Sequence, residues 1–201
     1  MPDRITDELL LQQASEGDQA AFLELYERHR LPVFRFAYRL LGSVETAEDV
    51  THDCFLSLIR KPRNFDPGRA SLRTYLLAAT RNLAMKYFRS TGREGSLEEL
   101  TEEPRFSSKQ EPLRRVLDQE LATQVREAVM SLPALQREAL VLFEYEDLSL
   151  SEIADITQSE VGTVKARLYR AREGLRRMLR PYLDVNSELN SRREIVTLRE
   201  A

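Results

Sequence analysis

The chain has 201 residues, of which 42% are hydrophobic and 31% are charged, and its formal net charge is −3. Its single cysteine, Cys54, excludes an intrachain disulfide, and without a Cys/His cluster we predict no zinc site and no cofactor. No apolar run approaches the ~18 residues that span a membrane, and the first residues lack the form of a signal peptide, so we predict a cytoplasmic protein without membrane insertion.

Positive charge is concentrated in two blocks of this otherwise acidic chain. Residues 60–93 contain nine basic residues and one acidic residue, a net charge of +8. Residues 159–181 contain seven basic and two acidic residues, a net charge of +5. Such blocks are typical of proteins that contact nucleic-acid phosphates, although solvated helix faces can produce the same pattern. The overall negative charge therefore does not exclude DNA as a partner.

The first 90 residues have the pattern of four helices. An apolar stripe over residues 22–41 predicts the second helix, and Pro32 inside it predicts a kink or a short break. Gly42 and Ser43 are a natural C-cap and N-cap, so they predict the boundary between the second and third helices. Ser71 is predicted to begin the fourth helix, which reaches about residue 89.

A change in composition divides the chain. Residues 91–111 are rich in Gly, Ser, Pro and Glu and have few apolar positions, which favours a flexible linker. We therefore predict an all-α protein with two small helical domains, residues 1–90 and residues 112–181. The tail, residues 182–201, is only weakly periodic and is predicted to be frayed helix or disordered.

The second domain is predicted to have four helices and to end in a helix-turn-helix. Pro112 suits the first turn of a helix, and Leu132-Pro133 ends that helix and starts the next. A short helix over about residues 150–156 is followed, after a brief connection, by a longer helix over about residues 160–179.

The longer helix has two faces. Apolar residues at steps of three and four are expected to face the core: Val161, Val164, Leu168, Ala171, Leu175 and Met178. A separate face is cationic, carries an aromatic ring and has a small residue near its start: Gly162, Lys165, Ala166, Tyr169 and Arg170. Small residues let a helix approach the major groove, and Arg and Lys reach base edges or phosphates. This face is therefore predicted to bind DNA, with Arg167 adding a phosphate contact.

Two sets of motifs resemble one known family. Residues 161–168, with Leu132-Pro133 upstream, resemble the fourth region of extracytoplasmic-function-type sigma factors, group 4 of the sigma-70 family. Residues 47–50 resemble the polymerase-binding helix of the second sigma region, and residues 73–84 resemble its promoter-melting segment. Both sets occur in the family's order, and the resemblance covers residues 8–89 and 113–179.

The resemblance implies an alternative sigma factor that binds core RNA polymerase, recognises the minus-thirty-five and minus-ten elements of promoter DNA and promotes transcription initiation. An anti-sigma factor is a further partner that it implies. Docking on the coiled coil of the largest polymerase subunit is implied for four residues of the third helix: Glu48, Asp49, Asp53 and Phe55.

The resemblance also assigns promoter contacts to each domain. Minus-ten recognition falls to a base-capturing loop and the helix after it: Phe65, Arg69, Ser71, Thr74, Tyr75, Asn82 and Lys86. Minus-thirty-five recognition falls to the last helix: Gly162, Thr163, Lys165, Ala166, Arg167, Tyr169 and Arg170. Cations and aromatic rings suit a melted strand, which offers phosphates and exposed base faces. Core packing is an equally good interpretation of Tyr75.

Several positions depart from the family pattern. Tyr75 stands where the family usually has Trp, and Gln158 replaces the usual Gly in the turn of the helix-turn-helix. A left-handed conformation at Gln158 would cost about 1 kcal/mol. Asp147 replaces another frequent Gly but tolerates that conformation better. Ser159 replaces an apolar residue, which predicts a looser turn.

Other classes of protein explain less of the chain. A sigma-like interaction module that only titrates an anti-sigma factor would have no need of basic faces on both domains. A self-sufficient repressor would leave the motifs of the first domain unexplained. With His29 and His52 as its only histidines, and without a carboxylate pair, nucleophile motif or phosphate loop, the chain is predicted not to be an enzyme.

Overall fold

The computed structural model describes the backbone of residues 5–91 and 112–197 and the side chains of residues 5–90 and 121–182. The predicted linker therefore lies almost entirely outside the described residues. Within the described ranges the regular elements are helices, which confirms the predicted all-α class. The first domain contains α1 (Asp7–Ser15), α2 (Gln19–Leu41), α3 (Val44–Arg60) and α4 (Leu72–Thr91), with a 3-10 turn at Pro62–Asn64. The second contains α5 (Pro112–Met130), α6 (Ala134–Glu144), α7 (Leu150–Thr157) and α8 (Val161–Thr197).

Capping side chains set the helix boundaries of the first domain. The Thr6 hydroxyl accepts a hydrogen bond from the amide of Leu9 at 3.4 Å, and the Asp18 carboxylate accepts two bonds from the first amides of α2. Gly42 ends α2 in the left-handed conformation, with φ 75°, and Ser43 caps α3. The boundary at Gly42 and Ser43 is the one that the sequence predicts, and each of these caps satisfies amide or carbonyl groups left free at a helix end.

Pro32 does not interrupt α2, so of the two predicted outcomes the short break is wrong, and the kink stays a prediction. The helix is continuous over Gln19–Leu41 with Pro32 inside it. A proline removes one hydrogen bond of the helix. Apolar residues on both sides, Leu25 and Val33, are almost fully buried and keep the two halves packed on one core.

The final helix is longer than its periodicity predicts. Its backbone continues through Pro181 to Thr197, well beyond the predicted end near residue 179. Val164, Leu168 and Ala171 are buried as predicted, but Val161, the first residue of α8, is 38% exposed. The prediction that Val161 faces the core is therefore wrong.

The two domains pack against each other. A single apolar cluster combines residues of α2 and α4 with residues of α5 to α8. From the first domain it includes Phe36, Leu40, Leu77 and Ala84, all at most 1% exposed. Helices α2 and α4 contact α6 and α7, respectively. The sequence analysis predicts two domains but does not predict that they share an interface.

Two unusual backbone conformations shape the helix-turn-helix. Gln158 ends α7 with φ 50° and ψ 46°, and Asp147 has φ 54°; they are the non-glycine residues with positive φ in the described part of the chain. The Ser159 amide donates to the Ala154 carbonyl at 3.0 Å, and the Ser159 and Thr157 hydroxyls share a hydrogen bond of 2.6 Å. Hydrogen bonds thus close the turn where the family has an apolar anchor, so the predicted loosening is not observed.

Gln158→Gly is expected to raise the free energy of unfolding. A side chain in the left-handed conformation costs about 1 kcal/mol, and glycine removes this cost, offset partly by its greater freedom in the unfolded chain. Urea denaturation of the full chain measures the change. Asp147→Gly is the matched control and should give a smaller gain, since Asp tolerates this conformation better. An equal or larger gain from Asp147→Gly would contradict the explanation.

Candidate nucleic-acid interface

The first turns of α8 present the predicted recognition face to solvent. Gly162, Thr163, Lys165 and Arg170 are exposed, and Tyr169 is 68% exposed, the largest exposed fraction among the large apolar and aromatic side chains described. Ala166 is half-buried. An aromatic ring exposed to this degree gains little from packing, so the face suits a contact outside the chain.

The helices packed against the opposite side of α8 fix the orientation of this face. Val164 and Leu168 pack into the second domain's core, where α8 contacts α6 and α7. At the start of α7, the Ser149 hydroxyl accepts from the Glu152 amide, and the Glu152 carboxylate accepts from the Ser149 amide and hydroxyl. These hydrogen bonds hold the pKa of Glu152 below its usual value. A rigid support of this kind fixes the orientation of a recognition helix.

The cations of α8 divide by their partners. Arg172 binds the Glu144 carboxylate at 2.6 Å and lies over the Phe143 ring, and Arg176 pairs with Glu173. Arg167 is half-buried, and its Nη1 is enclosed without a hydrogen-bond partner among the described residues. In that same part of the chain, Lys165, Arg170 and Arg177 have no ion-pair partner. They are the cations of α8 best placed to meet a phosphate or a base.

Helix α4 carries a second polar surface. Asn82 and Lys86 lie one turn apart and are both exposed. At the start of the helix, the Ser71 hydroxyl accepts from the Thr74 amide at 3.1 Å and bonds to the Thr74 hydroxyl at 2.9 Å. Ser71 and Thr74 therefore cap the helix. Further along it, Lys86 is exposed, and so is Asn82, whose Oδ1 accepts a hydrogen bond from the Nη1 of Arg81 at 3.3 Å.

The loop before α4 has its aromatic residue inside the core. Phe65 is 8% exposed, and its ring meets the Tyr75 ring edge-on at 5.6 Å. Burial raises the pKa of Tyr75. Arg69 is exposed. Just before it in the loop, the Asp66 carboxylate accepts a hydrogen bond from the Gly68 amide at 2.9 Å. In this arrangement Phe65 supports the loop from within, Tyr75 is half-buried against it, and Arg69 is exposed.

Helix α3 presents an acidic face. Glu48, Asp49 and Asp53 are exposed, together with Leu56 at 40%. Phe55 is 1% exposed and packs edge-on against Tyr26 at 4.9 Å. The predicted docking residues thus separate into three exposed carboxylates and one core aromatic ring, which can position the helix but cannot touch a partner.

Sequence reasoning missed a set of charged residues between the domains. Glu138 and Glu146 of the second domain pair with Arg81 and Arg73 of α4. Burial raises the pKa of Glu146, against the opposite effect of Arg73 and Arg39. One signal was present in the sequence. Glu138 lies three residues after Leu135 and four before Leu142, so it shares one helical face with two apolar residues. A carboxylate at such a position is expected to have a partner.

The described residues offer no alternative site of a different chemistry. They contain no cluster of three potential metal ligands, and none of their helices is long and apolar enough to cross a membrane. Cys54 is buried, and burial raises the pKa of its thiol to about 11. A thiol with this pKa is a packed hydrophobic group rather than a nucleophile.

Comparison with known proteins gives two family matches and several full-length relatives. The model for Sigma-70 region 2 matches residues 25–94, and that for Sigma-70, region 4 matches residues 122–175. The ECF RNA polymerase sigma factor SigW of Bacillus subtilis (strain 168) is 31% identical over 182 residues, 85% of this chain and 95% of its own. The ECF RNA polymerase sigma-E factor of Escherichia coli (strain K12) is 31% identical over 191 residues, 91% of this chain and 99% of its own.

Two solved structures are similar across most of the chain. The sigma factor RpoE in complex with the anti-sigma factor NepR from Bartonella quintana has a TM-score of 0.65 and 25% identity, and the match covers 79% of this chain and 96% of that one. CnrH in complex with the cytosolic domain of CnrY has a TM-score of 0.62 and 26% identity, with coverage of 87% and 97%. With both sigma regions in order on one chain and relatives matched over nearly their whole length, the chain belongs to the sigma-70 family, as an alternative sigma factor of the extracytoplasmic-function type in transcription initiation.

Proposed function

We propose that three helices have separate roles in binding core RNA polymerase and promoter DNA. Helix α3 docks on core RNA polymerase, α4 and the loop before it hold the melted minus-ten element, and α8 reads the minus-thirty-five element as duplex. The first two tasks belong to residues 1–90 and the third to residues 112–181. The observation that carries this proposal is the presence of exposed cations and polar groups on both domains of one chain, beside an exposed acidic face on α3.

Minus-thirty-five recognition is assigned to the exposed face of α8. Arg170 and Lys165 are long enough to reach base edges, and neither has a competing ion-pair partner among the described residues. Gly162 and Thr163 are small and exposed at the start of the helix, so the backbone can enter the major groove. Tyr169 offers its ring to a thymine methyl group or its hydroxyl to a phosphate. Ala166 borders this face, and Arg167 lies at its edge.

Minus-ten recognition is assigned to Asn82, Lys86 and Arg69. Asn82 presents both a donor and an acceptor, which a base edge requires, and the two cations suit the phosphates of a single strand. Phe65 and Tyr75 shape the loop from inside, and Ser71 and Thr74 fix the start of α4. This division keeps all seven predicted residues in the site but gives direct contact with DNA to the exposed ones.

Docking on polymerase is assigned to Glu48, Asp49 and Asp53. Three exposed carboxylates within two turns of one helix fit a basic partner surface, and the coiled coil of the largest polymerase subunit is the proposed one. Leu56, exposed beside them, adds an apolar contact. Phe55 contributes by packing α3 onto Tyr26.

An anti-sigma factor is the further partner that we propose. The two similar structures are a complex with an anti-sigma factor, NepR, and a complex with the cytosolic domain of CnrY. We also propose that the chain acts in the cytoplasm, where core polymerase and chromosomal DNA are found, and that it has no catalytic activity of its own.

The central test adds the purified chain to core polymerase on genomic DNA. Transcripts should start downstream of a common pair of promoter elements, and sequencing of their 5′ ends identifies these elements. The chain alone should bind the same promoters poorly, because each domain makes only part of a bipartite contact. Transcription by core polymerase that does not change on adding the chain, across a genomic promoter library, would refute the proposal.

Arg170→Ala should weaken binding of holoenzyme to the minus-thirty-five element by ~1–3 kcal/mol, with relaxed preference at one base pair, if Arg170 reads a base. Competition binding with promoters mutated at each position measures this preference. Arg176→Ala is the matched control, since Arg176 is paired with Glu173. An equal loss on every promoter sequence would instead identify Arg170 as a phosphate contact.

Asp49→Lys combined with Asp53→Lys should reduce affinity for core polymerase by roughly ten-fold or more, because like charges then face the basic partner. The double variant should still bind duplex promoter DNA as weakly as the wild-type chain, since α8 is untouched. Glu16→Lys combined with Glu27→Lys, at exposed positions of the first domain, is the control for the same change in net charge. Wild-type affinity for core polymerase in the double variant would rule out this face as the docking surface.

A further inference from the structure

One stripe of α4 faces the second domain, and the side chain of Arg73 at its start also remains 40% exposed. Arg73, Leu77, Arg81 and Ala84 follow one another at steps of four, four and three. Leu77 and Ala84 are fully buried in the cluster shared by both domains. Arg73 and Arg81 belong to residues 60–93, the block with a net charge of +8 that was predicted to contact DNA. The same helix therefore faces both the proposed DNA path and the second domain.

Each arginine of this stripe is held by a carboxylate of the second domain. Glu138, on α6, is completely buried and accepts a hydrogen bond from the Nε of Arg81, whose side chain is only 15% exposed. The second oxygen of Glu138, Oε2, is buried without a hydrogen-bond partner among the described residues. Arg81 is thus the cation that compensates this buried charge.

Glu146 makes the corresponding contact two turns away on α4. Its Oε2 binds the Nη2 of Arg73 at 2.7 Å, and its backbone carbonyl accepts the Nη1 of Arg73 at 3.0 Å. Arg39, on α2, approaches the other oxygen at 3.8 Å and lies over the ring of Tyr145 at 4.4 Å. The Glu146 side chain is 5% exposed, so two arginines of the first domain enclose one carboxylate of the second.

Further contacts of other kinds also cross the interface between the domains. The Nη1 of Arg137 donates to the backbone carbonyl of Leu40 at 2.6 Å, across the interface. A Cβ atom added to Gly42 would lie 2.5 Å from the Cε of Met130. The interface thus joins backbone, apolar and charged groups, rather than isolated surface ion pairs, which are worth little.

This closed arrangement cannot reach both promoter elements. Elements centred about ten and thirty-five base pairs upstream lie roughly 85 Å apart at 3.4 Å per base pair. Domains of this size have a radius of gyration near 12 Å, so the centres of two packed domains lie about 30 Å apart. A chain of the predicted linker's length can extend to about 70 Å. Binding both elements therefore requires the domains to separate.

We infer that Glu138 and Glu146 form an intramolecular latch that keeps the free protein closed by occupying Arg81 and Arg73, the cations of α4 that are otherwise available to promoter phosphates. The closed state and the DNA-bound state then exclude each other. Separation of the domains frees two cations next to Asn82 and Lys86. This inference rests on the proposed role of α4 in binding DNA, whereas the latch itself can be measured without DNA.

The test compares three forms of the full chain: wild type, Glu138→Gln with Glu146→Gln, and a matched control, Glu127→Gln with Asp155→Asn. The control removes the same charge from exposed positions of the second domain. Small-angle scattering should show a rise in the radius of gyration by roughly a third in the latch variant only. Fluorescence anisotropy with a labelled, mixed-sequence single-stranded DNA should show about ten-fold higher affinity, again in the latch variant only.

Arg81→Gln separates opening from DNA binding. It leaves Glu138 without its cation and should also raise the radius of gyration, but it removes a phosphate contact and so should not raise the affinity for the strand. Circular dichroism verifies that each variant keeps its helical content. If the variant with both Glu138→Gln and Glu146→Gln unfolds, the single variant Glu146→Gln takes its place.

Two results would overturn the inference: a latch variant as compact as the wild type, or an opened chain whose DNA affinity stays within about two-fold of the wild-type value. Opening with stronger DNA binding but no transcription with core polymerase would refute the proposed function and leave the latch standing.

Discussion

Two buried carboxylates, Glu138 and Glu146, are the groups on which the relative position of the domains depends. Removing a carboxylate from water costs several kcal/mol, and only a well-placed cation compensates for it. Arg81 and Arg73 supply that compensation from a helix of the other domain. A buried ion pair of this kind contributes little net stability compared with an apolar pair, but it tolerates few alternative geometries. The charged contacts therefore select one arrangement, while Leu77 and Ala84 provide the apolar area that the arrangement buries.

Helix α4 is the element that both functions share. Its Asn82 and Lys86 face solvent, whereas Arg73 and Arg81, on an adjacent stripe, face the second domain. A helix with two such stripes cannot serve the second domain and a DNA strand fully at the same time. The basic character of residues 60–93 thus has two consequences: it attracts phosphates, and it makes the helix a binding surface for carboxylates of the same chain.

The aromatic residues show how burial changes an interpretation based on residue type. Phe55, Phe65 and Tyr75 all occupy positions where a ring could contact a partner. Phe55 and Phe65 are instead buried, and Tyr75 packs edge-on against Phe65. Burying a large ring removes much apolar surface from water. These rings therefore pack in or against the core of the first domain. In contrast, the ring of Tyr169 on α8 remains 68% exposed.

The sequence by itself determined the helices, their caps and the family. Caps at Thr6, Asp18 and Ser149 act within three residues, and apolar stripes repeat within one or two turns, so a local pattern is sufficient to predict them. The left-handed turn at Gln158 was also predictable, because the family that the chain resembles usually has Gly at this position. Only the tertiary structure decided which polar and aromatic side chains reach solvent and what Arg73 and Arg81 bind. Arg73 and Glu146 are 73 residues apart in the chain, and neither has a local pattern that identifies the other. Their pairing follows from the packing of two domains, since burial is a property of the whole fold and not of any segment.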